Sequence, residues 1–358
     1  MAHKVIKFKK KNLTIHKASI LPNIKENAVL ATDSWNFVDL WLKRNSENKA
    51  QFYWQQAQNF YNASLNLPKT SSPLTLYYCF LNATKALLIT KKISFTELHG
   101  LSGKSDIPTT LENETIYLKN TGILPSLAQY LDSPISNNPQ ATLSLFECFY
   151  NLPFLHRTFL LTYPSSPELF IPIHNPIIGK SMTTKEAWFS AELDSEYSDS
   201  HTIKLLPGNF EIDISYKDKK IIRCKKSPKR IRWSHLDKET DKIKTFQKYN
   251  KALRKHIFYI HGSPTAWYIK RSDITHSHRT GRDGIIKNYT KLHPLVLIFS
   301  AMHRLSELSR YTPEKLSKHF DCKHNWLLND FLKYAPIQFI DEISSELTGL
   351  EFKRPKQA

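Results

Sequence analysis

Glycine is scarce in this chain, nine in 358 residues, which excludes collagen-like and other low-complexity architectures. It also leaves little with which to build a phosphate-cradling loop. The one passage that imitates such a loop, LSGKSD at 101–106, fails the test: Gly100 stands two residues too close to the Gly-Lys-Ser, and no buried strand precedes it. Cysteine is also sparse. Cys79, Cys148, Cys224 and Cys322 are scattered without a CxxC pair, which argues against a disulfide framework and fits a reducing cytoplasm. The longest apolar run, Leu295 to Met302, is far too short to span a bilayer. The basic N-terminus, MAHKVIKFKKKN, lacks the apolar segment of a signal peptide. Acidic residues are in deficit, 32 against 51 Lys and Arg, so the net charge is +19.

That excess is concentrated. Residues 217 to 255 hold 16 Lys or Arg against four acids, a net of +12. Such a density attracts polyanions and releases their counterions, so nucleic acid or another polyanion is the expected partner and a membrane is not. Within and beyond it, Lys225, Lys226, Lys229, Arg230, Arg232, Arg279 and Arg282 are the candidate phosphate-binding residues.

Hydrophobic periodicity divides the chain of 358 residues, long enough for two or three packed units, into an extended lead at 1–30 and helices after it. Asp33 and Ser34 can cap a first helix containing Trp35, Val38 and Leu42. A second, from Asn48 to about Leu65, places Trp54, Ala57 and Tyr61 on one face. In the third, Ser72 is read as the N-cap with Pro73 at the first helical position, and Leu74, Tyr77, Leu81 and Leu88 form its stripe. Proline and glycine punctuate 103–140, which reads as loop with one short helix near 124–131, before a helix from Ala141 to Phe149. The proline-rich segment 164–178 reads as a domain boundary. Strands are expected at Trp188-Phe189, Ile203 to Leu206, Phe210 to Ile214 and Ile221 to Cys224, then a basic amphipathic helix from Thr240 to His256 and a hairpin turning at Gly262-Ser263-Pro264. Helices close the chain: Pro294 to Arg310, Pro313 (capped by Thr312) to His319, and Asn325 to about Tyr334.

The polar cluster richest in chemistry is KRSDITHSHRTGRDGIIK at 270–287, where Arg271, His276 and His278 lie among glycines able to form a tight turn. These three, with His99, are the candidate catalytic residues. His319, Cys322 and His324 lack the fourth ligand and paired spacing of a zinc site, so no metal and no cofactor is expected.

Two passages carry a family resemblance. QFYWQQAQNFYNASLNLP followed by SPLTLYYCFLNATKALL…HGLS resembles the YaaC-like family of bacterial proteins, and HPLVLIFSAMHRLSELSRYTPEKL (His293 to Leu316) is similar to that family's C-terminal pattern. More distantly, Ala57, Tyr77, Tyr78, Phe80, Ala83, Lys85, Ala86, Leu87, Leu88, His99, Gly100 and Leu101 resemble the HEPN class of helical bundles. Members of that class with RNase activity carry Arg-x4-6-His on one helix, His for acid–base work and Arg for the transition state. Here that spacing occurs at Arg230/His235, Arg254/His261, Arg271/His276 and Arg271/His278, outside the helical region where the motif belongs. The resemblance implies an α+β chain: a HEPN-like helical domain at 31–165, a basic strand-rich region at 179–290, and C-terminal helices at 291–358 packing back on the bundle. The charge concentration and the sparse cysteines point to a cytoplasmic nucleic-acid-binding or nucleotide-handling protein, and the HEPN resemblance implies a role in bacterial defence or stress response. Two alternatives stay open: a non-catalytic interaction protein whose bundle homodimerises or docks a partner, and an enzyme acting on a phosphorylated small molecule.

Overall fold

The computed structural model describes residues 4–26, 28–31, 33–136, 140–183, 186–216, 219–224, 231, 233, 236, 238–263, 265–276 and 283–353, with the backbone alone at 274–276 and 283–284. Helix α1 (Ser34–Arg44) begins where the Asp33 carboxylate accepts from the Trp35 N–H at 2.9 Å. α2 (Asn48–Ser64) and α3 (Ser72–Thr90) follow. A three-stranded antiparallel sheet (Leu101–Ser105, Glu114–Leu118, Thr142–Ser144) is interrupted by α4 (Ile123–Tyr130), then come α5 (Leu145–Tyr150) and α6 (His156–Thr162). A larger sheet contains α7 (Ser200–Leu205) and α8 (Glu239–Leu253) between its strands. α9 (Pro294–Tyr311), α10 (Pro313–Asp321) and α11 (Asn325–Thr348) end the helical part.

These elements form two compact units. A helical unit comprises 29–167, 288–348 and 352–358; a basic unit comprises 1–28, 168–287 and 349–351. In the helical unit α3 is buried on most of its surface, where apolar residues and alanines predominate, and leaves a half-buried stripe of Thr75, Tyr78, Asn82 and Lys85. It packs on α2, α9 and α11, with Phe80 stacked on Phe339 at 4.2 Å and Tyr77 edge-on to Phe299 at 5.6 Å.

In the basic unit the strands run in the order Phe210–Ile212, Ile221–Cys224, Ala187–Leu193, Phe170–Lys180, Trp267–Lys270, Ile257–Tyr259, all antiparallel, and Lys4–Val5 also pairs with Phe170–Lys180. α8 and the N-terminal lead share the core of this sheet, through Phe246, Tyr249, Leu253, Ile6, Leu13 and Ile15.

Several elements depart from the pattern-based expectation. The segment 203–206, read as strand, lies largely in α7, because the Asp199 carboxylate caps the N–H groups of His201 and Thr202 at 2.8 and 3.0 Å and starts a helical turn. The punctuated stretch 103–140 contains two strands of the small sheet. The alternation of the second strand is hard to read because its first inward position is a glutamate: Glu114, Ile116 and Leu118 all face inward. The proline-rich segment after 164 supplies the central strand Phe170–Lys180, with Pro176 lying in the bulge between His174 and Ile177. Ser71, not Ser72, holds the N-cap of α3 and makes no side-chain cap bond. α11 continues to Thr348 through Pro336, carried by the buried Phe339, Ile343 and Leu347.

Candidate functional site

His99 follows α3 and precedes Gly100, whose φ of +86° is one that side-chain-bearing residues rarely adopt. A Cβ there would come within 2.3 Å of Pro125 Cδ. The close approach lets α4 begin against this loop: Ile123 N–H donates to the Leu98 carbonyl at 2.9 Å and Leu124 N–H to the His99 carbonyl at 3.2 Å. The His-Gly dipeptide is therefore a backbone lock that presents the His99 ring.

That ring is exposed, and its Nδ1 is held by the buried Tyr77 hydroxyl. Burial pushes the Tyr77 phenol far up, with Tyr78 and Glu307 adding to the effect, so the hydroxyl keeps its proton. Burial, then Lys85, Arg310 and Lys119, lower the His99 pKa against the opposing pull of Glu307. At neutral pH His99 is then an uncharged imidazole. His303 of α9 closes the cluster, its ring 4.9 Å from Tyr77 and 5.7 Å from His99. Burial, His99, Arg304 and Lys119 depress its pKa to about 3. A neutral His303 forms no ion pair with Glu307, whose carboxylate is 3.8 Å from Nδ1, and that nitrogen has no hydrogen-bond partner among the described residues.

Beside this cluster runs a buried chain of charges. Arg304 donates from Nε and Nη2 to one Glu114 oxygen at 3.0 and 2.8 Å, from Nη2 to Ser105 Oγ at 2.5 Å, and from Nη1 to Glu307 at 2.7 Å. Glu307 also accepts from Gly103 N–H at 3.2 Å, where a Cβ would meet Glu307 Oε2 at 2.3 Å and Arg304 Cδ at 2.4 Å. The other Glu114 oxygen lies 3.1 Å from His319 Nε2, and His319 Nδ1 lies 2.9 Å from His324 Nε2. A carboxylate only accepts, so His319 Nε2 carries the hydrogen of that bond. Burial alone would raise the Glu114 pKa; His319, Ser105 and Arg304 together outweigh it and hold the carboxyl below its usual range. Burial, with His319 and Lys323, takes His324 down to about 4. His319 and His324 thus serve Glu114 and one another, while Cys322 Sγ reaches the Thr109 carbonyl at 3.9 Å.

In the basic unit, α8 turns Phe246, Tyr249, Asn250 and Leu253 inward. Asn250 fixes the lead segment, accepting from His16 N–H and donating to the Ala18 carbonyl, both at 2.8 Å. Lys244, Lys248 and Lys251, spaced four and three apart, fall on the opposite face, and the first two are exposed. Arg271 is buried in this unit, its Nη1 donating to the Glu168 carbonyl at 3.1 Å and its N–H to the Leu169 carbonyl at 2.9 Å. His276 lies opposite Asp283 in a two-stranded sheet, Ile274–His276 with Asp283–Ile285. The side chain of His276, and His278, Arg279, Arg282, Lys225, Lys226, Lys229, Arg230 and Arg232 altogether, lie outside the described residues. Of the four candidate catalytic residues, His99 belongs to the helical unit and Arg271 and His276 to the basic unit. Residue-by-residue reading missed Glu114, His303, Arg304 and Glu307. The available signal was His-Arg appearing directly after the apolar run of α9, at positions that the helical period turns inward.

Fold and site together define an α+β protein of two units, one holding a histidine-rich polar centre and the other a helix with a lysine face. The chain matches the YaaC-like protein family over residues 19–347, and it belongs to that family. No curated protein and no solved structure matches it.

Proposed function

We propose that the protein binds nucleic acid, or a nucleotide, through its basic unit. The observation that carries this reading is the lysine face of α8: Lys244, Lys248 and Lys251 lie opposite the residues that bury the helix, in a segment with a net charge of +12. A helix anchored by Asn250 and Tyr249 presents these amines from a rigid support, as backbone-tracking phosphate contacts require. Four scattered cysteines without a CxxC pair suit the cytoplasm, and the HEPN-like pattern from Ala57 to Leu101 suits a defence or stress-response role. The test is fluorescence anisotropy with labelled single-stranded RNA, single-stranded DNA and duplex DNA between 50 and 300 mM salt. Binding is expected to weaken steeply with salt, and K244E/K248E/K251E is expected to reduce affinity more than tenfold. Binding that ignores salt, or a triple variant that binds like the parent, overturns the reading.

A second reading, an enzyme acting on a phosphorylated small molecule, is favoured by His99. It offers an exposed imidazole held by Tyr77 within the field of Lys85, Arg310 and Lys119. Incubating the protein with phosphate monoesters and following 31P NMR tests it. Turnover lost in His99→Gln supports this reading; no turnover, or turnover that survives the substitution, ends it.

A further inference from the structure

The three cations that act on the His99 ring are not equivalent. Lys85 donates to Glu97 at 2.5 Å and lies 5.1 Å from the centre of the Tyr53 ring, so a carboxylate already answers its charge. Lys119 and Arg310 are exposed and form no ion pair among the described residues. The fold places both beside His99. Lys119 follows the strand Glu114–Leu118, and its N–H donates at 2.9 Å to the carbonyl of Gly100, the residue after His99. Arg310 stands in the last turn of α9, where His303, Glu307 and Arg310, at i, i+4 and i+7, share one face. Two contacts fix where that face points: the His303 ring is 5.7 Å from that of His99, and Glu307 accepts from Gly103 N–H. The Arg310 guanidinium lies 5.1 Å from the centre of the Tyr311 ring, a contact that uses the face of the planar group and leaves its N–H edge open. Glu307, the carboxylate that acts on His99, is matched by Arg304 Nη1 at 2.7 Å.

Two unanswered positive charges and an exposed imidazole, brought from three separate elements, thus rim one position on the surface of the helical unit. We infer that His99, Lys119 and Arg310 form a binding site for the terminal phosphate of a small phosphomonoester, whose two negative charges match the two cations. Arg310 offers a planar fork suited to two phosphate oxygens, and Lys119 a point charge on a flexible stem. The second pKa of such an ester is about 6, so it is a dianion at pH 7.5. A phosphodiester keeps a single charge and leaves one of the two cations unanswered. The inference deepens the second reading above and rests on its placement of phosphate at His99, not on turnover. It uses no residue of the basic unit and is independent of the nucleic-acid reading.

Calorimetric titration of the full chain at pH 7.5 with phenyl phosphate and with methyl phenyl phosphate tests it, since the two share a ring and differ by one charge. Phenyl phosphate is expected to bind about tenfold more tightly or better, and to move the 15N resonances of the His99 ring as it saturates. K119Q/R310Q, which changes only exposed side chains, is expected to bring phenyl phosphate down to the affinity of the diester with Tm within a degree or two. Preferential binding without turnover supports the inference while ending the enzymatic reading. Turnover with equal affinity for the two esters overturns the inference and leaves that reading in place. Failure of phenyl phosphate to bind at millimolar concentration also overturns it, as does a preference that survives K119Q/R310Q or leaves the His99 ring resonances unmoved.

Discussion

The helical unit buries a connected chain of charges, whereas the basic unit displays a lysine face. Glu114 and His319 are completely buried and Arg304 nearly so, and each is matched to a specific partner atom. Lys244 and Lys248 stand on the outer face of a helix whose inner face is packed. The contrast separates two uses of charge. A buried charge must be satisfied within the protein, so it fixes geometry; an exposed charge leaves its field available to a partner. The basic unit obeys the same rule where it does bury cations. Arg254 donates to the Ile257 carbonyl at 2.9 Å and to Ser19 Oγ at 3.2 Å, and burial, opposed by Asp273, brings Lys270 down to about 7.

Breaking the hidden chain should have the largest effect. Arg304→Met strands Glu114 and Glu307 without their cation and is expected to destabilise the helical unit by about 3–5 kcal/mol in urea unfolding. Adding Glu114→Gln and Glu307→Gln should recover much of that loss. If Arg304→Met alone is harmless, the chain does not organise the unit.

Acid should come next. In the unfolded chain His16, His303 and His324 take up protons near pH 6.5, whereas the fold holds them neutral down to about 4, 3 and 4. Stability is therefore full above pH 6.5 and falls as the pH drops from 6.5 toward 4, by up to about 1.4 kcal/mol per pH unit for each histidine. His303→Phe should flatten the curve by one such contribution, and an unchanged slope would show that the ring is protonated in the fold. Glu114, whose pKa is lowered, adds its loss only below the ordinary carboxylate range, as its folded pKa is passed.

Gly103→Ala should be nearly as damaging, about 1–3 kcal/mol, because the new methyl meets Glu307 and Arg304. Tyr77→Phe removes one hydrogen bond and should lower stability by about 1 kcal/mol, while freeing His99 Nδ1. A changed 15N shift of the His99 ring would report that release. On the displayed side, K244E/K248E should leave Tm within a degree or two, since both side chains are exposed. A large Tm change there would erase the contrast between the units.

Much of the helical unit was legible because capping and period are local. Asp33 capping α1, the stripe of α2 and the span of α9 all follow from neighbours within a few residues. The segments that misled share one property: their conformation depends on partners far along the chain. Glu114 looks like a surface residue until Arg304, 190 positions later, is placed against it. The strand Phe170–Lys180 looks like a linker until strands on both sides pair with it.

By itself, the sequence determined the family, the α+β composition, the concentration of positive charge and the lysine spacing of α8. These depend on residue type and short-range period alone. Only the tertiary structure decided that His99 is held against Tyr77 and that His319 sits between Glu114 and His324. Hydrogen bonding and burial are properties of atoms brought together from distant positions, and composition and local spacing do not record which atoms will meet.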